Sequence, residues 1–135
     1  DWTPPGGVIE VGDGETLLDG LAREVEEETG LRVTAWVGPV YEVSAEAPDL
    51  GWRLRVEVHR AVAWEGELSV DDPDGIVVDA RFVSAGDCGV QLGDCHPWVR
   101  EPLSAWLDER WEGTRPFDYL VDGADLAALT VTRLG

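Results

Sequence analysis

The chain contains no lysine, no methionine and no asparagine. Without lysine, all ten basic residues are arginine, and they face 28 aspartates and glutamates for a formal net charge of −18. Nucleic acids and anionic membrane surfaces are bound chiefly through basic side chains, so neither is an expected partner. A small anionic substrate suits this charge only if a metal ion supplies the positive countercharge. Cysteine is scarce as well. Cys88 and Cys95 do not make a disulfide scaffold, and two reduced thiols fit a cytoplasmic protein. No apolar run approaches the roughly 20 residues that span a bilayer. The missing residue types, beside abundant Ala, Gly, Val, Arg and Asp, match a high-GC bacterial genome.

What is present suits one globular α/β domain over residues 1–135, since 44% of the residues are hydrophobic. The stretch "DWTPPGGVIEVGDG" is loop-rich. Thr16–Thr29 reads as a helix, with Thr16 as N-cap, Asp19 three residues on in a variant of the capping box, and Gly30 at C′. Two β-rich runs follow, Arg32–Ser44 and Trp52–Trp64. The second sets Leu54, Val56 and Val58 on one side and Arg53, Arg55, Glu57 and His59 on the other. A turn at Pro73–Gly75 leads to an expected strand near Ile76–Val83. Pro97 opens a second long helix that runs to about Trp111. The tail reads as two short strands around a loop at Asp122–Asp125. The elements mix without strict alternation, so a mixed sheet is expected.

The stretch "REVEEETGL", residues 23–31, holds four glutamates. Like charges three and four apart on a helix repel by roughly 0.2–0.5 kcal/mol per pair. With Glu24 at zero on a wheel advancing about 100° per residue, Glu27 falls near 300° and Glu28 near 40°. Glu26 points roughly the opposite way. Leu17, Leu18, Leu21, Ala22 and Val25 fill a neighbouring sector from about 20° to 160°. The three acids therefore border the apolar flank, and Arg23 is the sole basic residue of the helix. A solvated acidic face is the ordinary reading of such a run. The alternative is a site for a hard divalent cation, which takes converging carboxylates, water and phosphate oxygens.

The residues "GGVIEVGDGETLLDGLAREVEEETGL" resemble the Nudix box, G-x5-E-x7-R-E-U-x-E-E-x-G-U with U a bulky aliphatic residue. From Glu15 onward the match is complete: Arg23, Glu24, Val25, Glu27, Glu28, Gly30 and Leu31 all fall in place. Upstream, seven residues separate Gly7 from Glu15 where the pattern has five. A "WEGE" step at Trp64–Glu67, an acidic loop, a strand "DARFV" and then a helix fit the family more loosely.

The resemblance implies a Nudix-type α/β/α sandwich with a mixed β-sheet and a loop–helix–loop catalytic motif. It implies Glu24, Glu27 and Glu28 as ligands of Mg²⁺ or Mn²⁺, with the Gly7 carbonyl as a further ligand. It gives Glu27 or Glu28 the proton of the attacking water. It makes Arg23 the holder of a box carboxylate, with Glu15 as its partner. Asp72, in "SVDDPDGIV", is the candidate for the extra acid that some members supply from a distant loop; Asp/Pro/Gly turn chemistry explains the same residues equally well. The implied reaction is hydrolysis of a nucleoside diphosphate linked to another group, so the expected partner is a small nucleotide, and assembly as a homodimer stays open. Nudix domains ordinarily carry a strand-rich segment before the glycine loop, so natural sequence upstream of Asp1 is also expected.

Cys88, Cys95 and His96 lack a paired zinc-ligand spacing and are not taken as a zinc site. His59 reads as a surface or partly buried histidine. Trp2 and Trp52 are more simply packing residues than platforms for a base. Two other readings remain open at this point: a Nudix-fold sensor that binds a nucleotide without cleaving it, and an acidic protein–protein module. The box does not name the substrate.

Overall fold

The computed structural model describes residues 4–6, 16–70, 80–125 and 127–134. Helix α1 spans Leu17–Thr29, strand β1 Arg32–Ala47 and strand β2 Trp52–Glu65. Helix α2 follows at Ala85–Gln91, α3 at Pro97–Glu109, β3 at Arg115–Asp122 and β4 at Thr130–Leu134. Among the described residues the strands form one sheet in the order β2–β1–β3–β4. Only the turn at residues 48–51 separates β1 from β2, a link short enough for an antiparallel hairpin alone. β1 runs parallel to β3, with Val43 opposite Phe117 and Ala45 opposite Tyr119. β3 runs antiparallel to β4. The fold is thus α/β with a mixed sheet.

The described residues fall into two compact units. One holds residues 37–60 and 85–134, and its core follows from two periodicities. Along β1, Tyr41, Val43, Ala45 and Ala47 are buried, and along β3 so are Phe117, Tyr119 and Val121; every second residue points inward, as a pleated strand requires. Along α3, Trp98, Pro102 and Trp106 are buried at spacings of four, which makes one helical stripe. All of these except Pro102, with Val40, form a continuous hydrophobic cluster. Truncating one of its aromatic side chains to alanine costs about 3–5 kcal/mol in cores of this kind. Beyond α3, the indole N–H of Trp111 donates to the Val40 carbonyl at 2.7 Å.

Arginine–aromatic contacts recur in this unit. The guanidinium of Arg110 stands 4.6 Å from the Trp106 ring, that of Arg115 4.3 Å from Trp111 and that of Arg133 4.6 Å from Phe117. A planar guanidinium stacks on such faces, whereas an ammonium behaves as a point charge.

The other unit holds residues 4–6, 16–36, 61–70 and 80–84 among those described, and so contains α1, the start of β1 and the end of β2. The α1 boundaries follow the local chemistry. Thr16 is extended and its side chain accepts the Asp19 N–H at 3.1 Å. Gly30 is left-handed at φ 78° and returns its N–H to the Glu26 carbonyl.

Two expectations change. Residues 80–83 carry no strand, and Phe82 is exposed there; the rest of the Ile76–Val83 stretch and the Pro73–Gly75 turn lie outside the described residues. Helix α2 was not anticipated. It is one short element containing Gly86 and Gly89, and glycine is among the poorest helix formers. Among the described residues, no helix is long and apolar enough to cross a membrane.

Tyr41 and Tyr119 are the chain's two tyrosines, and both are buried in this core. The Tyr119 hydroxyl donates to Glu101 Oε1 at 3.1 Å. Burial, then the Glu101 carboxylate, pushes the Tyr119 phenol up to about 12. Burial, with smaller contributions from Cys88 and Tyr119, raises that of Tyr41. An unfolded phenol ionises near pH 10, so above that pH the unfolded chain binds fewer protons than the native one. The stabilisation is therefore complete below about pH 10 and is lost as pH rises through the folded value. Phenolate absorbance should lag its ordinary titration and then rise together with loss of the circular-dichroism signal. Ionisation near pH 10 with the fold intact would contradict this packing.

Candidate functional site

Helix α1 buries Gly20, Val25 and Thr29. Leu17, Leu21 and Ala22 are partly covered, while Leu18 is exposed, so the apolar sector drawn from the sequence is broadly right and one residue too wide. Glu26 is exposed. Glu24 and Glu27 are not freely solvated: their side chains keep 21% and 31% of their accessible surface. Gly20, on the acidic side one turn earlier, is buried. This flank is therefore not an ordinary water-facing row of acids.

One nitrogen of Arg23, Nη1, lies 3.3 Å from Glu24 Oε1 and 3.5 Å from Glu27 Oε1. Two carboxylates thus share a single cationic atom. Glu28 turns elsewhere, and its Oε2 accepts the Gly6 N–H at 2.8 Å. The three acids grouped on the wheel are arranged as a pair on Arg23 and a third tied to the glycine loop. Among the described residues no group of three His, Cys, Asp or Glu side chains is gathered round one point. The donor chemistry nevertheless fits a hard divalent cation. The donors are carboxylate oxygens, which Mg²⁺ and Mn²⁺ prefer, and Glu24 and Glu27 already hold a positive charge between them. Gly7, Glu15 and Asp72 lie outside the described residues.

The last turn of α1 is fastened to the chain that leaves β2. The Ser69 N–H donates to the Thr29 carbonyl at 2.8 Å. A Cβ built on Gly30 would stand 2.6 Å from the Ser69 carbonyl oxygen and 2.7 Å from that of Glu67. A Cβ on Gly66, in the "WEGE" step, would stand 2.9 Å from the Gly30 carbonyl oxygen. Gly30 therefore meets two demands, a left-handed φ and backbone packed on backbone. Thr29 is a residue the sequence reading passed over. Its hydroxyl donates to the Val25 carbonyl at 2.6 Å and accepts the Leu31 N–H at 3.1 Å. The available signal was its place on the wheel near 140°, a polar side chain inside the apolar sector.

Other candidates have structural surroundings. Trp52 packs edge-on against Trp98 at 5.8 Å, and His96 stacks on Trp98 at 4.3 Å. Cys88 and Cys95 are partly buried, and burial, with Cys95 nearby, raises the Cys88 thiol. The His59 side chain is 5% exposed, with Nε2 3.7 Å from Glu57.

Box residues Arg23, Glu24, Val25, Glu27 and Glu28 lie on one capped helix, in a chain that carries a mixed sheet. The NUDIX domain profile matches residues 1–107, and the chain belongs to the Nudix family. Its fold is similar to the crystal structure of the mutator MutT protein from Bacillus halodurans, with a TM-score of 0.60 over 94% of this chain and 79% of that one. The two share 18% identity, so the likeness is one of fold alone. No curated protein matches the chain in sequence.

Gly30 and Gly51 provide an internal comparison. Their φ values are 78° and 77°, but a Cβ on Gly51 meets nothing within 4 Å. Gly51→Ala should cost only the left-handed strain, about 1–2 kcal/mol. Gly30→Ala should cost that plus about 1–3 kcal/mol of overpacking. Urea denaturation of both variants measures the difference, and equal losses would mean the backbones do not cross as closely as described.

Proposed function

We propose that this Nudix domain is a divalent-metal-dependent hydrolase that cleaves a phosphoanhydride bond in a nucleoside diphosphate linked to another group. The observation that carries the reading is the Glu24–Glu27 pair, partly withdrawn from water and closed on one cationic nitrogen, in a chain whose box matches the family pattern from Glu15 onward.

Glu24, Glu27 and Glu28 would hold Mg²⁺ or Mn²⁺, with the Gly7 carbonyl and Asp72 as further donors. When bound, the ion supplies the positive charge that a diphosphate needs in so acidic a chain, and it acidifies water. The protein's own groups do the rest. Arg23 keeps Glu24 and Glu27 side by side, and Glu15 is its proposed further partner. The Gly6 N–H holds one oxygen of Glu28. Glu27 or Glu28 takes the proton of the water that attacks phosphorus; the bridging P–O bond breaks and a phosphate-bearing group leaves. The substrate is a small nucleotide, and the cytoplasm is the proposed compartment.

Purified protein should release phosphate or a nucleoside monophosphate from at least one member of a panel of diphosphate-linked nucleotides, and EDTA should abolish this. Turnover that persists in excess EDTA would exclude the mechanism, and binding without turnover would make the domain a sensor. Glu27→Gln should cut turnover by at least roughly 10²-fold, the low end for losing a proton-transfer group. It should change metal-free stability by less than about 1 kcal/mol, the scale of a solvent-accessible ion pair. Kinetics beside thermal melts in EDTA check both halves. Near-parental activity in this variant would place the metal site away from α1.

A further inference from the structure

Helix C-termini leave their last carbonyls without partners inside the helix, and such ends fray unless something else fastens them. Glu27 and Glu28 stand on the last turn of α1, where fraying would move their carboxylates most. Four bonds prevent it, and all converge on residues 29 and 30. The Gly30 N–H takes the Glu26 carbonyl at 2.8 Å. The Thr29 hydroxyl donates to the Val25 carbonyl and accepts the Leu31 N–H. The Thr29 carbonyl accepts the Ser69 N–H.

Thr29 is only 9% exposed. Packing alone does not require a hydroxyl there. Valine has the same branched shape and lacks only the polar atom. A threonine bonded back to the carbonyl four residues earlier tends to bend its helix and slightly destabilise it. The gain lies in the second bond. Leu31 is itself buried, and without the hydroxyl its N–H would lose this acceptor where the helix hands over to β1.

We propose that Thr29 is a positioning residue for the metal-binding carboxylates: its hydroxyl sets the pitch of the last α1 turn and so the direction of Glu27 and Glu28. The inference rests on the assignment of those two glutamates as ligands. Outer-shell groups that orient metal ligands typically matter by 10–100-fold in affinity or activity, and a site of this kind works only when its ligands are held to within about 0.5 Å.

The test compares Thr29→Val, Thr29→Cys and Thr29→Ser in the full chain. Mn²⁺ is the probe, with binding read from the electron paramagnetic resonance of the free ion, alongside thermal melts in EDTA and steady-state kinetics. Thr29→Val should weaken Mn²⁺ binding by about 10-fold, the low end for an outer-shell loss, and lower kcat with KM little changed. Thr29→Ser keeps the hydroxyl and should restore both within about twofold. Thr29→Cys, whose thiol is only a weak donor and acceptor, should fall between them and decides the matter if the valine variant does not fold. A folded valine or cysteine variant with parental Mn²⁺ affinity overturns the proposal, as does a serine variant no better than valine. A lowered melting temperature with unchanged Mn²⁺ binding overturns it too, because Thr29 is then only structural. Glu27→Gln separates the two levels. If it leaves Mn²⁺ binding intact, the metal assignment itself has failed; if it weakens binding while Thr29→Val does not, only the positioning role has.

Discussion

At Gly30 two backbones pass closer than any side chain would allow. The chain leaving β2 lies against the end of α1, with the Ser69 N–H on the Thr29 carbonyl and the Glu67 and Ser69 carbonyl oxygens where a Cβ would stand. Everything proposed for the acidic helix depends on this crossing. Backbone groups lack the rotamer freedom of side chains, so a contact between them transmits position without slack. The carboxylates of Glu27 and Glu28 stand one to three residues away. A helix end held only by side-chain packing would give them more room to move than an octahedral ion tolerates.

Charge is the second organising term. In so acidic a chain, arginine is used where it touches two things at once. Arg23 spans two carboxylates from one nitrogen. Arg110 covers the Trp106 ring and also donates from Nε to the Leu107 carbonyl, closing the end of α3. Arg115 lies over Trp111 and pairs with Glu109. A guanidinium serves both contacts in one geometry, whereas an ammonium would have to leave one of them. The absence of lysine is thus matched by the way positive charge is placed.

Much of this was legible in the sequence, and the reasons are specific. Thr16 and Gly30 bracket α1 because capping is local chemistry. Alternation exposed β2, and proline opened α3. The i, i+4 contact of Arg23 with Glu27 follows from helical geometry, but its contact with Glu24 does not, since adjacent helix residues do not face each other. The Glu28 bond to Gly6 joins residues 22 apart, beyond the reach of any local pattern. Thr29 was hidden for a related reason: its surroundings, not its spacing, make it polar among apolar neighbours. The short α2 carries two glycines and offers no period to read. The candidates Gly7, Glu15 and Asp72 lie outside the described residues, so their roles stay with the family pattern.

Among the described residues, β2 and β4 are the outermost of the four strands. An unpaired strand edge can template another chain and seed aggregation, and natural sheets guard against it with charge. On β2 the residues alternating with Leu54, Val56 and Val58 are Arg53, Arg55, Glu57 and His59, and two ion pairs tie the strand back to β1, Arg53 to Glu46 at 2.8 Å and Arg32 to Glu65 at 3.7 Å. The charges of Arg53, Arg55 and Glu57 make the strand recognisable in sequence and poorly suited to edge-to-edge growth.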